Sequence, residues 1–192
     1  MNPSVAHQIQ GRCSNPSEVA RIAALYGLAL LDEAGVSLAR DLACRLVPGE
    51  VAPAATFQAV QRAAGAAVFG FHEAGVLTGV LAAFPLNAKG LEQLTAGGFD
   101  ALNLDIDLVS RPGQLPGAYY GWGFAASTKD AGRSVVKASV QIHRELYWAT
   151  PTFARAVTPD GLRALTSIGF RPVRADDEAL LWIAPNLVVA SR

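Results

Sequence analysis

The chain has few cysteines, no surplus of either charge and no long apolar run. Its 192 residues contain two cysteines, Cys13 and Cys44. With no second pair and no Cys-x-x-Cys spacing, they read as reduced thiols of a cytoplasmic protein rather than as a disulfide framework or a metal box. Lysine plus arginine and aspartate plus glutamate both number 16, and no run of like charge occurs. A nucleic-acid surface needs a basic stripe to release counterions, so no nucleic-acid partner is expected. The uncharged stretch from Ala74 to Ala88 is interrupted by Gly75, Gly79, Pro85 and Asn87. It is also shorter than the ~20 residues a membrane helix needs. The start lacks the basic and apolar segments of a signal peptide. The expectation is a cytoplasmic protein with no membrane partner.

What is present is a packed composition. Hydrophobic residues make up 51% and charged residues 17% of the chain, which suits a globular core and not a disordered one. The length allows one full core. No internal repeat, low-complexity tract or linker occurs, so residues 1–192 are expected to form a single domain.

Helix and strand signals alternate along it. Asn15-Pro16-Ser17-Glu18 is a helix start, with a capping asparagine, a proline in the first position and an acid in the first turn. Val19, Ile22, Tyr26 and Ala29, with Leu25 beside them, form a stripe that predicts a helix ending before Gly35. A second helix is expected over Ser37–Leu46, closed by Pro48-Gly49, and Phe57–Ala64 adds a turn or two. Ala66–Glu73 and Val76–Leu86 then read as a hairpin about Ala74-Gly75. Their apolar runs are continuous, as in strands covered on both faces. Ala88–Gly97 predicts a short helix, Leu102–Val109 a strand, and Arg111–Gly117 a surface loop. Tyr119–Ala126 is the central strand and Arg133–Trp148 a strong helix. Phe153–Val157 is a short strand. Thr158-Pro159-Asp160 starts a helix that ends at Gly169, and Phe170–Val173 and Ala179–Ala184 are the last strands.

The richest stretch is Tyr119–Ser134, where an aromatic strand breaks into a polar turn and a helix begins at once. Such a junction aims backbone N–H groups at one point beside the positive end of a helix dipole, which suits a phosphate. Lys129, Gly132 and Ser134 take the first, fourth and sixth places of a segment that resembles the Gln/Arg-x-x-Gly-x-Gly/Ala signature of the GNAT superfamily of N-acetyltransferases. Lys129 and Ser134 depart from the usual residues at their positions. A second resemblance lies at Thr158–Val173, where a helix ends in Gly169-Phe170 and a strand follows. Each motif alone is an ordinary glycine turn, and it is the two in order that carry the likeness. The likeness spans roughly Ala66–Pro185. The stretch Ala88–Gly117 is longer than that superfamily's usual connection.

The resemblance implies an α/β fold, a central mixed sheet flanked by helices. It implies acetyl-CoA as acyl donor and a small-molecule or peptide amine as acceptor. It assigns the pyrophosphate to the backbone of Lys129, Asp130, Ala131, Gly132, Arg133 and Ser134, with Arg133 and Lys137 reaching outer phosphates. Phe170 is expected to tuck into the core. Main-chain groups near Gly123, Phe124 and Ala125 are expected to polarise the thioester carbonyl.

Proton transfer is less legible. Many members carry a tyrosine as general acid where this chain has Leu165. Tyr120 and Tyr147 are the substitutes taken here, with Tyr119 near them, although tyrosines are ordinary core residues. Glu73 is taken as the base, ahead of His72, Asp105 and Asp107. Asp105 and Asp107 read better as the solvated face of an edge strand than as a cation or amine site, and His143 as a satisfied core histidine. No Gly-x-Ser-x-Gly elbow, Walker loop or Gly-x-Gly-x-x-Gly turn occurs, and His7, His72 and His143 lack metal-ligand spacing. Two other readings stay open: a non-catalytic acyl-CoA-binding domain, and an interaction domain in which Leu91, Leu94, Phe99 and Leu102 form a homodimer surface.

Overall fold

A computed structural model describes residues 13–174 and 177–185. His7 and the rest of residues 1–12, where a leader would stand, lie outside the described residues. Seven strands form one sheet in the order β1-β2-β3-β4-β5-β7-β6. They are β1 (Leu28–Leu30), β2 (Val68–Glu73), β3 (Val76–Leu86), β4 (Ala118–Ala126), β5 (Thr152–Arg155), β6 (Arg171–Arg174) and β7 (Asp177–Ile183). Every neighbouring pair is antiparallel except β4 with β5. Among the described residues six α-helices flank the sheet: α1 (Pro16–Ala24), α2 (Glu33–Leu46), α3 (Ala54–Ala64), α4 (Ala88–Ala96), α5 (Lys129–Leu146) and α6 (Pro159–Ser167). This is the expected mixed sheet flanked by helices.

The starts of five helices are written in their caps. The side chains of Asn15, Asp32, Asn87, Thr128 and Thr158 each accept the backbone N–H three residues on. Each such cap stabilises its helix by about 1 kcal/mol. The hairpin turn is also local chemistry. Ala74 and Gly75 have φ of 50° and 80°, the pair of positive values that matches the twist of two antiparallel strands.

Three expectations fail. The first helix stops at Ala24, and Leu28–Leu30 is a strand paired to β2. Gly27, at φ 77°, turns the chain there, and Asp32 then caps a new helix through the Gly35 N–H at 2.7 Å. Helical spacing and a short strand are indistinguishable over so few residues. Second, Leu102–Val109 is not a strand. It holds a 3₁₀ turn at Ile106–Leu108, because Asp105 turns back to accept the Asp107 N–H at 3.0 Å. Only Val109 bridges to Leu86. Third, the helices expected from Ser37 and Arg133 begin at Glu33 and Lys129.

Two apolar layers sandwich the sheet. On one face Val36, Phe57, Val60 and Leu94 from α2, α3 and α4 pack on Val68, Phe84 and Tyr120. On the other, Val19 and Ile22 of α1 and Val135, Ala138 and Ile142 of α5 pack on Phe69, Leu81 and Tyr119. Leu91, Phe99 and Leu102 from the long connection are packed against the first layer. Leu81 is fully buried in the middle of β3. Leu81→Ala is expected to cost about 3 kcal/mol, read as a lowered urea midpoint with an unchanged slope.

Candidate functional site

The site is set by how β4 is paired. On the β3 side its register runs from Ala118 to Ala126. On the β5 side it holds only three residues, Tyr119, Tyr120 and Gly121, opposite Thr152, Phe153 and Ala154. Beyond Gly121 the two strands part, and the backbone groups of β4 that face away from β3 have no strand partner among the described residues. A bulge adds to this. Ala82 pairs with Gly123 and Ala83 with Gly121, so Trp122 is the extra residue and bends the strand where the gap opens. Its indole is pinned: the ring stacks on Phe57 at 3.9 Å and Nε1 donates to the Ala101 carbonyl at 3.1 Å.

The gap is the centre of a cleft of about 1470 Å³. It lies at the carboxyl ends of two parallel strands, where open α/β sheets bind their ligands. One wall comes from Val36, Ala39 and Arg40 of α2, with Phe57, Phe99 and Leu102. The other comes from Val136, Val140 and His143 of α5, with Ala164 and Leu165 of α6 and Ile168 just after it. Val136, Val157 and Ile168 are about half exposed, at 48%, 52% and 47%, and α6 buries none of its residues. Apolar side chains are thus held open toward the cleft.

Tyr120, Gly123, Phe124 and Ala125 line this cleft. Tyr120 is buried, edge-on to Phe84 and Phe99. Desolvation pushes its hydroxyl up to about 12, so it keeps its proton at neutral pH and can donate it. Tyr147 is not among the lining residues; it stacks on Tyr119 at 4.1 Å within the opposite layer, and burial raises its hydroxyl to about 12. Glu73 is also elsewhere. Its carboxylate accepts from Thr128 Oγ1 at 2.7 Å at the head of α5. Hydrogen bonds from Thr128 and Thr78 lower its pKa, which makes it a weak base. The structure therefore does not bring Glu73 and Tyr147 together with Tyr120. Leu165 does line the cleft, so the wall carries no hydroxyl at that position. Phe170, expected in the core, is half-buried on the cleft wall, held by its N–H to the Leu165 carbonyl at 3.1 Å after Gly169 at φ 101°.

Lys129, Asp130, Ala131, Gly132, Arg133 and Ser134 form the first turns of α5 rather than a free loop. The first N–H groups of a helix lack intrahelical partners. Here Thr128 takes Ala131 N–H through Oγ1 and Gly132 N–H through its carbonyl, both at 3.1 Å. The N–H groups of Lys129 and Asp130 remain at the positive end of the dipole. Lys129, Arg133 and Lys137 follow at four-residue steps and so form one row. Arg133 reaches Asp130 at 3.3 Å, while Lys129 and Lys137 have no ion-pair partner among the described residues. A Cβ on Gly132 would make only an ordinary 3.6 Å contact with Ala126, and one on Gly123 would meet nothing within 4 Å. Nothing among the described residues demands glycine at either place.

His143 has the partner expected of a satisfied histidine but not the expected core position. It is half-buried on the cleft wall, and its Nδ1 lies 2.9 Å from Thr152 Oγ1. Thr152 Oγ1 also lies 3.5 Å from the Thr150 carbonyl, so which of Nδ1 and Oγ1 donates is set by the imidazole tautomer. Its place next to the apolar stripe of α5 was legible. The splay that exposes it was not. Asp105 and Asp107 stay on the surface turn, with Asp105 at 3.9 Å from Lys89. No group of three or more metal-ligating side chains occurs among the described residues. None of their helices is long and apolar enough to cross a membrane.

Desolvation lowers the His143 pKa from 6.5. The unfolded chain then binds this proton more readily than the folded one, so the contribution to stability is whole above about pH 6.5 and is lost as pH falls below it. Urea midpoints compared at about pH 7.5 and about pH 5.5 are expected to fall toward the lower pH, and His143→Gln to flatten that fall. The lowered carboxyls of Glu73 and Asp177 act in the same direction further down, with stability lost as pH falls through their folded values.

No protein-family model matches the chain, and no curated protein matches it significantly. Among solved structures it is similar in fold to Ard1 from Thermoplasma volcanium, with a TM-score of 0.53 and 12% identity, over 81% of this chain and 95% of that one.

Proposed function

We propose that the protein is an N-acyltransferase that moves an acetyl group from acetyl-CoA to an amine. One observation carries the reading: β4 is freed from β5 beyond Gly121, beside a helix that starts directly after β4. The fold likeness to Ard1, an N-acetyltransferase, and the two sequence motifs support it.

The residues present fit such a donor. The apolar wall of Val136, Val140, Leu165 and Ile168 suits a pantetheine arm. The head of α5 and the row Lys129, Arg133 and Lys137 suit phosphates. Glycines at 123 and 132 permit a ligand to lie against the backbone. Acetyl-CoA supplies an activated thioester, whose exchange with an amine yields an amide and the free thiol. The unpaired main chain around Gly123, Phe124 and Ala125 offers donors to a developing oxyanion without side-chain chemistry. Tyr120 holds a proton within the cleft for the departing sulfur. Glu73, fixed on Thr128, serves the helix cap, and Tyr147 the packing of Tyr119.

The test is a calorimetric titration with acetyl-CoA, with free pantetheine as the control. Micromolar binding that depends on the phosphates is expected, and Arg133→Glu is expected to weaken it about tenfold with an unchanged melting temperature. No binding at millimolar cofactor would sink the reading. A second reading, an acyl-CoA-binding domain without turnover, is favoured by Leu165 on the cleft wall. It is separated by cofactor affinity without thioester consumption against any amine.

A further inference from the structure

The wall of the cleft opposite α5 contains a cation that neither the donor nor the core uses. On α2 the residues Val36, Ala39 and Ala43 line the cleft. Arg40 stands within that stripe, one turn after Val36, where helical spacing favours an apolar side chain. Phe57, Trp122, Phe99 and Leu102 surround the same space, and they are aromatic or aliphatic. The Arg40 Nε–H is buried and has no hydrogen-bond partner among the described residues. Its only ion-pair contact among them is Nη1 to Asp41 Oδ1 at 3.6 Å, on the exposed side. A buried donor without an acceptor is costly, so its retention at a cavity wall points to an acceptor that arrives with a ligand.

The other charged residues that line the cleft are Glu50, Asp100, Arg144, Arg155, Arg174 and Asp177, and none of them stands in the α2 stripe. Arg155 and Asp177 hold one another in a two-pronged pair at 3.1 and 2.7 Å. The Asp100 carboxylate is spent on Leu102 N–H, Asn103 N–H and the Asn103 amide. Glu50 lines the cleft with no partner among the described residues and offers an acceptor to an amine.

From this we infer that the acceptor is a free, apolar α-amino acid, whose carboxylate is held by Arg40 and whose side chain enters the aromatic pocket of Phe57, Phe99 and Trp122. The inference rests on the acyltransferase reading for the fate of the amine, and on Arg40 alone for the anion. The planar guanidinium gives a carboxylate the forked geometry that lysine lacks.

Two arms test it. The first is binding without cofactor, followed by the Trp122 indole N–H resonance. N-acetyl-L-phenylalanine is expected to move it saturably. N-acetyl-L-phenylalaninamide, which differs only in the charge, is expected to bind at least about tenfold more weakly. Arg40→Gln should erase that difference and Arg40→Lys restore only part of it. Equal binding of acid and amide, or no shift with either, would overturn the inference. The second arm compares acetyl transfer from acetyl-CoA to L-phenylalanine, phenethylamine and a peptide amide with a free N-terminus. Preference for the free acid, lost in Arg40→Gln mainly through KM, supports it. Transfer that favours phenethylamine or the peptide overturns it and leaves the acyltransferase standing. Arg40-dependent binding of the acid with no transfer to any amine supports the anion site and removes the enzyme.

Discussion

The three-residue pairing between β4 and β5 is the constraint on which the other features depend. A parallel pair is joined by a crossover helix and normally stays zipped because each unpaired backbone group costs a hydrogen bond. Here the pair stops at Gly121 and Ala154 while β4 continues to Ala126, secured on its other edge by β3. The strand that lines the gap is therefore held from one side only, and its free groups are directed into space that the helices do not fill. Trp122, as the bulged residue, turns a change of register into a change of direction. Its stacking on Phe57 and its bond to Ala101 tie the gap to α3 and to the connection after α4.

The two walls differ in chemistry because the helices behind them differ in origin. α5 follows β4 directly, so its head and its dipole sit beside the end of that strand, while Lys129, Arg133 and Lys137 are not among the residues that line the cleft. α2 comes from the amino-terminal part and brings Val36, Ala39 and Arg40, a largely apolar surface with one cation. The first wall resembles what a phosphate-bearing arm requires. The second would discriminate between ligands, since a buried donor left unmatched penalises every ligand that lacks its partner.

Much of the fold was legible in short-range signals. The caps at Asn15 and Thr158, the Ala74-Gly75 turn and the glycine ends at Gly97 and Gly169 are satisfied within a few residues, and each behaves as read. The errors lie where local signals compete. Leu28–Leu30 carries both a helical spacing and a strand composition, and only its pairing with Phe69–Phe71 decides between them. Leu102–Val109 is apolar enough for a strand, but Asp100 and Asp105 bend it through their own backbone contacts. Of the site, Tyr120 and the Gly123–Ala125 segment lie on the cleft. Glu73 and Tyr147 lie apart from it, because sequence proximity to a motif says nothing of which face a side chain takes.

By itself the sequence determined the helix starts capped by Asn15 and Thr158, the Ala74-Gly75 hairpin turn and the passage from β4 into a helix, since these rest on contacts between near neighbours and on one residue's conformational freedom. Tertiary structure decided that β4 and β5 part company, that His143 and Phe170 line the cleft, and that Arg40 lines it with a buried Nε that has no partner among the described residues. Those are outcomes of packing between segments far apart in the chain, where the same residue pattern fits a filled core and an open cleft equally well.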